Sequence, residues 1–250
     1  MNALVSIITP SYNSAKFIAE TIQSVQNQTY PNWEMIIVDD GSSDDTENVV
    51  LSILQNDNRI QFHKLSQNSG PAVARNTGIE KASGDYMTFI DADDIWFSTF
   101  IENNIKTIQE TGIPFVFSSY RRANEQLEFV YSDFIVPYKV SYIDILKSNS
   151  ISCLTAFLDI KKLGKKYMPL IRKRQDMGLW LNYLKVIPFA HGIQETQAIY
   201  RIRENSLSRK KSDLIKYQWQ FYREVEKLNV FQSAYYMLHW MYRGFMKYRN

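Results

Sequence analysis

One cysteine, Cys153, in 250 residues leaves no intramolecular disulfide to brace the fold, and the chain is compatible with a reducing compartment. Three histidines beside it give no Cys/His metal cluster. The first predicted strand is not followed by Gly-x-Gly-x-x-Gly, which disfavours a nicotinamide dinucleotide site. No apolar run approaches the roughly 20 residues of a spanning helix; the longest, 230–242, is broken by Gln232, Ser233 and His239. No basic stretch precedes the apolar run 5–8 and no cleavage pattern follows it, which argues against a secretory signal. Positive charge is scarce in residues 1–120, with 6 Lys and Arg against 15 Asp and Glu. Residues 121–250 reverse this with 23 against 11, so the net charge of +3 is a cancellation. The acidic region would repel nucleic acid unless a metal intervenes, while the basic one suits phosphates or an anionic membrane surface.

What is present is a globular composition, 45% hydrophobic and 22% charged, enough for one large or two small cores and not for a disordered chain. Short β-rich runs at 4–9, 34–39, 60–65, 86–91 and 115–120 alternate with helical periods at 15–26, 44–54, 71–81 and 97–110. That alternation predicts an α/β fold with a mainly parallel sheet, whose ligands bind beyond the carboxyl ends of the strands. Further along, the spacing predicts a hairpin, a strand at 154–159, a basic loop with Lys161, Lys162, Lys165 and Lys166, a helix from Asp176 and a strand at 196–202. Two helices close the chain. Leu214, Tyr217, Phe221, Val225 and Leu228 share one face of the first, and Phe231, Ala234, Leu238, Met241, Phe245 and Tyr248 one face of the second.

Four strand-end motifs carry chemistry. "FIDADD" puts Asp91, Asp93 and Asp94 after a buried strand; carboxylates so close raise one another's pKa unless a cation joins them, and oxygen-only ligation suits Mg2+ or Mn2+. Its bland reading is a solvated turn. "VDDGSSDDT" supplies Asp39 and Asp40, able to accept from a base or ribose hydroxyl, and Asp44, which reads equally well as a helix N-cap. "SIITPSYN" offers Pro10 to stiffen the strand exit and Tyr12 to stack on a base, although a Tyr there also serves packing. "NSGPAVARNTGI" places Arg75 and Asn76 on a helix before the carboxylate strand, where the arginine fits either a phosphate or an ion pair with those carboxylates.

These four motifs, in this order, resemble family 2 glycosyltransferases of the GT-A fold, over roughly residues 4–205. The resemblance is greatest to bacterial enzymes of cell-surface polysaccharides, the teichuronic-acid type among them. It implies that Pro10, Tyr12 and Asp40 hold uridine beside Asp39, and that Arg75 and Asn76 complete the pocket. Asp91 then lies near the ribose and metal, Asp93 ligates Mn2+ or Mg2+ on the donor diphosphate, and Asp94 is an accessory. The family's acceptor-half Glu-Asp pair corresponds to Gln175 and Asp176 in "RKRQDMGLWL", with Asp176 as general base; helix capping is its alternative role. Where the family carries a late His, "YRIRENSLSR" has Arg203, which cannot ligate a cation but can pair with phosphate; Ser206 and Ser208 follow on a loop that could close on the donor.

The resulting expectation is an inverting enzyme using a UDP-sugar and a saccharide or lipid-linked saccharide acceptor, with no nucleic acid partner. Residues 1–210 form the transferase domain, with a donor half at 1–120 and an acceptor half at 121–210. Residues 211–250 form aromatic and basic helices that contact the cytoplasmic membrane face, pack on the domain, or join a homodimer. A haloacid-dehalogenase-type phosphotransferase is disfavoured by Ile95, where its motif has Thr or Val. A sugar-nucleotide-binding scaffold of the same fold stays open because of Gln175 and Arg203.

Overall fold

The computed structural model describes residues 3–203 and 211–247. The donor half begins with β1 (Val5–Ser11), α1 (Ile18–Gln26), β2 (Trp33–Asp39), α2 (Thr46–Leu54), β3 (Ile60–Lys64), α3 (Pro71–Lys81) and β4 (Tyr86–Phe89). β1 is flanked by β2 and β4, and β2 by β3, all parallel. Strands covered on both faces need apolar residues throughout, and Val5, Ile7, Ile8 and Met35 to Val38 are fully buried. Helix α1 turns Ile18, Thr21, Ile22 and Val25 inward, the 3.6-residue stripe of a helix laid on a sheet. Pro71 opens α3 without wasting a donor. A Cβ on Gly78 would come within 2.5 Å of the Ile8 side chain, so this glycine lets α3 approach β1 closely and carry Arg75 to the strand ends.

After β4 come β5 (Ile95–Trp96), α4 (Phe100–Thr111), β6 (Phe115–Ala123), β7 (Phe129–Phe134), β8 (Lys139–Val140), α5 (Tyr142–Lys147), β9 (Phe157–Asp159), α6 (Ile160–Leu163), α7 (Gln175–Leu184) and β10 (Ala190–Arg201). One sheet of ten strands runs through both halves in the order β3-β2-β1-β4-β9-β6-β10-β5, with β7 beside β6 and β8 beside β10. It is mixed. β6 and β10 pair in parallel, while β9 is antiparallel to both β4 and β6, so the carboxyl ends of β1, β2, β4, β6 and β10 share one edge.

Helix α7 couples the halves. Trp180 is fully buried against Phe89 at 5.9 Å and Phe115 at 5.4 Å, so the residue ending β4 touches the helix that carries Asp176. Truncating such a side chain typically costs about 3–5 kcal/mol. Pro169 presses so close that a Cβ on Gly178 would lie 2.5 Å from it.

The chain closes with α8 (Lys211–Gln220), a π-helical turn at Phe221–Val225 and α9 (Val230–Lys247). Phe221 and Tyr222 enter the main core, and the Tyr222 hydroxyl donates to the Leu146 carbonyl at 2.5 Å. Ser233 and Met237 are buried on the inner side of α9. The residues grouped from sequence on the second helix lie on its other side: Phe231 is 87% exposed and Leu238 65%. The Phe245 side chain and Tyr248, like Ser206 and Ser208, fall outside the described residues. Among the described residues no helix is long and apolar enough to cross a membrane.

Candidate functional site

At the end of β2 the two carboxylates are engaged locally. Asp39 accepts from the Ser42 N–H at 2.9 Å and the Ser42 hydroxyl at 2.5 Å. Asp40 accepts from the Ser69 and Gly70 N–H groups at 2.7 and 2.8 Å, tying the loop before α3 to β2. Gly41 completes the turn at φ +73°, with its Cβ position only 3.0 Å from the backbone of Gln67 and Asn68, so only glycine suits it. Asp44 accepts from the Thr46 N–H and the Ala15 N–H; it lies one residue before Asp45, the N-cap of α2. Pro10 is in β1, and Tyr12 projects just beyond it, 47% exposed.

The end of β4 is different. Asp91 pairs with Arg75 and Asp93 with Arg203, at 2.5 and 3.2 Å. Asp94 is buried; its Oδ1 accepts from the Arg201 N–H at 2.8 Å, and its Oδ2 has no protein partner. Burial first, then the neighbouring carboxylates, pushes Asp94 well above the ordinary range, and burial with Asp91 pushes Asp93 up against the opposing pull of Arg203. Burial and these same three carboxylates raise Tyr200 beside them. Thr9 Oγ1, Ser11 Oγ and Arg75 Nε also lack protein partners. Unmatched buried polar atoms call for an explanation, and those at this strand edge are able to take a ligand as partner.

Asp176 lies on the acceptor side. Helix α7 starts at Gln175 after Arg174, held at φ +70°, and its N-cap makes no side-chain hydrogen bond. Asp176 is therefore not a capping residue; its Oδ2 accepts from Asn149 Nδ2 at 3.2 Å. Arg75 acts on it at longer range: this buried guanidinium is held charged despite burial by its ion pair with Asp91, with Cys153 and then Asp176 acting more weakly. Cys153, pushed up mainly by burial, feels Arg75, Asp91 and Asp176 together. The sheet edge thus brings Asp91, Arg75 and Asp176 into one electrostatic neighbourhood.

Asn76 follows Arg75 on α3. Its side chain exchanges two hydrogen bonds with the Met168 backbone, at 2.9 and 2.8 Å, and holds the loop that leads to α7. Three residues escaped sequence reasoning: Asn149, Cys153 and Arg201, the last stacked on Phe17 and paired with Glu20. Only Arg201 left a signal, as a basic residue two before Arg203; it ends β10, and Arg203 lies just beyond the strand.

Two carboxylates at the surface of the cluster and a buried third with an unmatched oxygen fit one Mg2+ or Mn2+ that completes its sphere with water and phosphate oxygens. Among the described residues no three His, Cys, Asp or Glu side chains form a ready cage, so protein oxygens would be a minority of its ligands.

A mixed α/β sheet with acidic ends on its parallel donor strands, and a second half delivering a carboxylate to the same edge, is the GT-A fold. The match to solved structures supports this. The first 349 residues of Staphylococcus aureus TarS, in complex with UDP-GlcNAc, superpose with a TM-score of 0.73 at 18% identity, covering 97% of this chain and 72% of that one. The mannosyltransferase PcManGT of Pyrobaculum calidifontis, in complex with GDP-Man and Mn2+, gives 0.70 at 17% identity, covering 95% and 70%. By sequence, residues 6–157 match the profile of Glycosyl transferase family 2, and the chain belongs to that family. It is 39% identical to the putative teichuronic acid biosynthesis glycosyltransferase TuaG of Bacillus subtilis, over 92% of each chain. It is 35% identical to the Escherichia coli UDP-Glc:alpha-D-GlcNAc-diphosphoundecaprenol beta-1,3-glucosyltransferase WfgD, over 98% of this chain and 94% of that one.

Proposed function

We propose that the protein is an inverting glycosyltransferase that moves a sugar from a UDP-sugar to a lipid-linked saccharide in bacterial surface polysaccharide synthesis. The observation that carries this reading is the Asp91–Arg75 ion pair at the sheet edge, with Asp176 at the start of α7 within electrostatic reach of it. The names of TuaG and WfgD and the UDP-GlcNAc bound to TarS support the substrate classes.

Pro10, Tyr12, Asp39 and Asp40 form the nucleoside wall, with Arg75 and Asn76 at its floor. Asp93 and Asp91 hold Mn2+ or Mg2+, a choice supported by the Mn2+ in PcManGT. The chemistry a bound cation supplies is neutralisation of charge on the departing diphosphate. Arg203, paired with Asp93 in the structure, would turn its guanidinium to that diphosphate. Asp176, free of capping duty, takes the proton of the acceptor hydroxyl as that hydroxyl attacks the anomeric carbon opposite the nucleotide, and Asn149 orients its second oxygen. Residues 1–210 act as the catalytic unit and 211–250 as an appendage that attaches it peripherally to the cytoplasmic membrane face or to a second subunit.

Gln175, in place of the family's Glu, favours a second reading, a sugar-nucleotide-binding protein without turnover. A mass-spectrometric screen of UDP-sugars with Mn2+, with and without a lipid-linked saccharide acceptor, separates the two. Transfer product with stoichiometric UDP supports the enzyme; binding without UDP release supports the scaffold.

A further inference from the structure

Beside the acceptor half lies a recess of about 320 Å³ between β8, α5 and α9, lined by Lys139, Asp144, Ser148, Ser150 and Arg243 among others. That size is at the lower end of small-ligand sites, about 300 Å³. Lys139 and Arg243 come from elements far apart in the chain, and neither forms an ion pair with a carboxylate among the described residues. Asp144 is committed elsewhere: its Oδ2 accepts from the Ser141 N–H and hydroxyl in the capping box of α5. The Ser148 and Ser150 hydroxyls have no hydrogen bond within the described residues. Lys139 lies over the Phe189 ring at 4.7 Å and Arg243 acts on Asp144 from beyond ion-pair distance, so two cations without a direct carboxylate contact and two free hydroxyls around one recess suit a phosphate.

Only the backbone segment 148–150 separates the recess from the proposed catalytic carboxylate. Ser148 is extended, at φ −170° and ψ 123°. Alternate residues of an extended segment face opposite ways, so Ser148 and Ser150 face the recess while Asn149 between them reaches Asp176.

A second, independent feature begins at Arg243. The outer side of α9 is a continuous apolar ridge of Phe231, Ala234, Tyr235, Leu238, Met241 and Tyr242, all exposed. Residues 227–250 contain Lys227, Arg243, Lys247 and Arg249 and no acidic residue. Lys227 and Arg243, the described cations of this stretch, are exposed, so an isologous dimer through this ridge would bring like charges together with no acidic residue of the stretch to offset them. A hydrocarbon chain attached to an anion suits both the ridge and its charge.

We propose that the recess binds the phosphate or diphosphate of the lipid-linked acceptor, and that its hydrocarbon chain lies along the outer side of α9. This rests on the transferase reading above and adds to it the place where the acceptor's anionic link and tail are held. The saccharide would then pass round segment 148–150 to reach Asp176 on its other side.

Calorimetric titration of the full chain, in EDTA with excess UDP, compares inorganic pyrophosphate with a C15 isoprenyl diphosphate. The wild type is expected to bind the isoprenyl diphosphate at least about tenfold more tightly than pyrophosphate. Lys139→Ala combined with Arg243→Ala should weaken both ligands by about tenfold or more. Phe231→Ser combined with Leu238→Ser should weaken only the isoprenyl compound, towards the affinity of pyrophosphate. Equal affinity of the wild type and the recess variant for both ligands would overturn the proposal, as would a ridge variant that loses only self-association, measured by light scattering. UDP binding with Mn2+, measured separately, should be the same in all three proteins. Its absence from the wild type would contradict the donor reading, while the recess titration still reports on the anion site.

Discussion

The acidic pair at the end of β2 and the acidic group at the end of β4 look alike in sequence, but their oxygens meet different partners. Asp39 and Asp40 are satisfied by backbone N–H groups and a serine hydroxyl within about thirty residues of chain. They shape the turn around Gly41 and fasten the loop before α3. Asp91, Asp93 and Asp94 face two guanidinium groups and one N–H, and an oxygen is left over. Carboxylates matched by neutral donors of the fold build a wall, whereas carboxylates matched by guanidinium groups, with an oxygen left open, are available to a ligand that brings a cation of its own.

The sharpest way to break this contrast is Asp93→Asn. It should leave the melting temperature close to wild type yet lower transfer by about a thousandfold and abolish the gain in UDP affinity on adding Mn2+, since it removes charge stabilisation at the leaving group. A variant that still transfers at near wild-type rate would refute the assignment. Arg203→Ala should weaken UDP binding by about tenfold, a loss read by calorimetry, because one charged phosphate contact disappears. At the other strand end, Asp40→Asn should instead act on stability, by about 1–3 kcal/mol, by turning an amide N–H towards the Ser69 or Gly70 donor. Denaturant unfolding measures this, and a fully stable Asp40→Asn with lost binding would erase the difference between the two sites.

A carboxylate outside both groups sets the baseline. Asp57 is held at about 2 chiefly by the Arg59 side chain, with Gln26 assisting against burial. A lowered carboxylate stabilises the fold fully above its unfolded value near 3.9 and loses that contribution as pH falls through about 2. Asp57→Asn should therefore cost about 1–2 kcal/mol at pH 7 and progressively less below pH 4, with donor affinity unchanged. Unfolding curves of both proteins from pH 7 to pH 2 check this.

Much of the donor half was legible because its elements are long and its strand ends carry composition. The parallel order of β3, β2, β1 and β4 follows from alternating runs, and Asp176 emerges within one residue of the observed start of α7. Short or contact-made features were not legible. β5 has two residues, and β10 starts at Ala190, well before the run predicted at 196–202, because pairing with β6 holds His191 and Gly192 in the sheet although glycine disfavours strands. β4 ends at Phe89, so Asp91 lies beyond the strand predicted to 91. The Met168 partner of Asn76 and the Asn149 partner of Asp176 are long-range contacts that no local pattern encodes. In α9 two faces carry apolar residues, and periodicity alone does not say which one is covered; the inner one holds Tyr236, Met237 and Trp240.

The central claim is that donor and acceptor chemistry meet at Asp176, and Asp176→Asn tests it most directly when UDP binding and UDP release are measured on the same sample. The account predicts wild-type affinity for UDP with Mn2+ and a rate of acceptor-dependent UDP release about 10²–10⁴ lower, the usual contribution of a general base. Release at the wild-type rate by Asp176→Asn would contradict it.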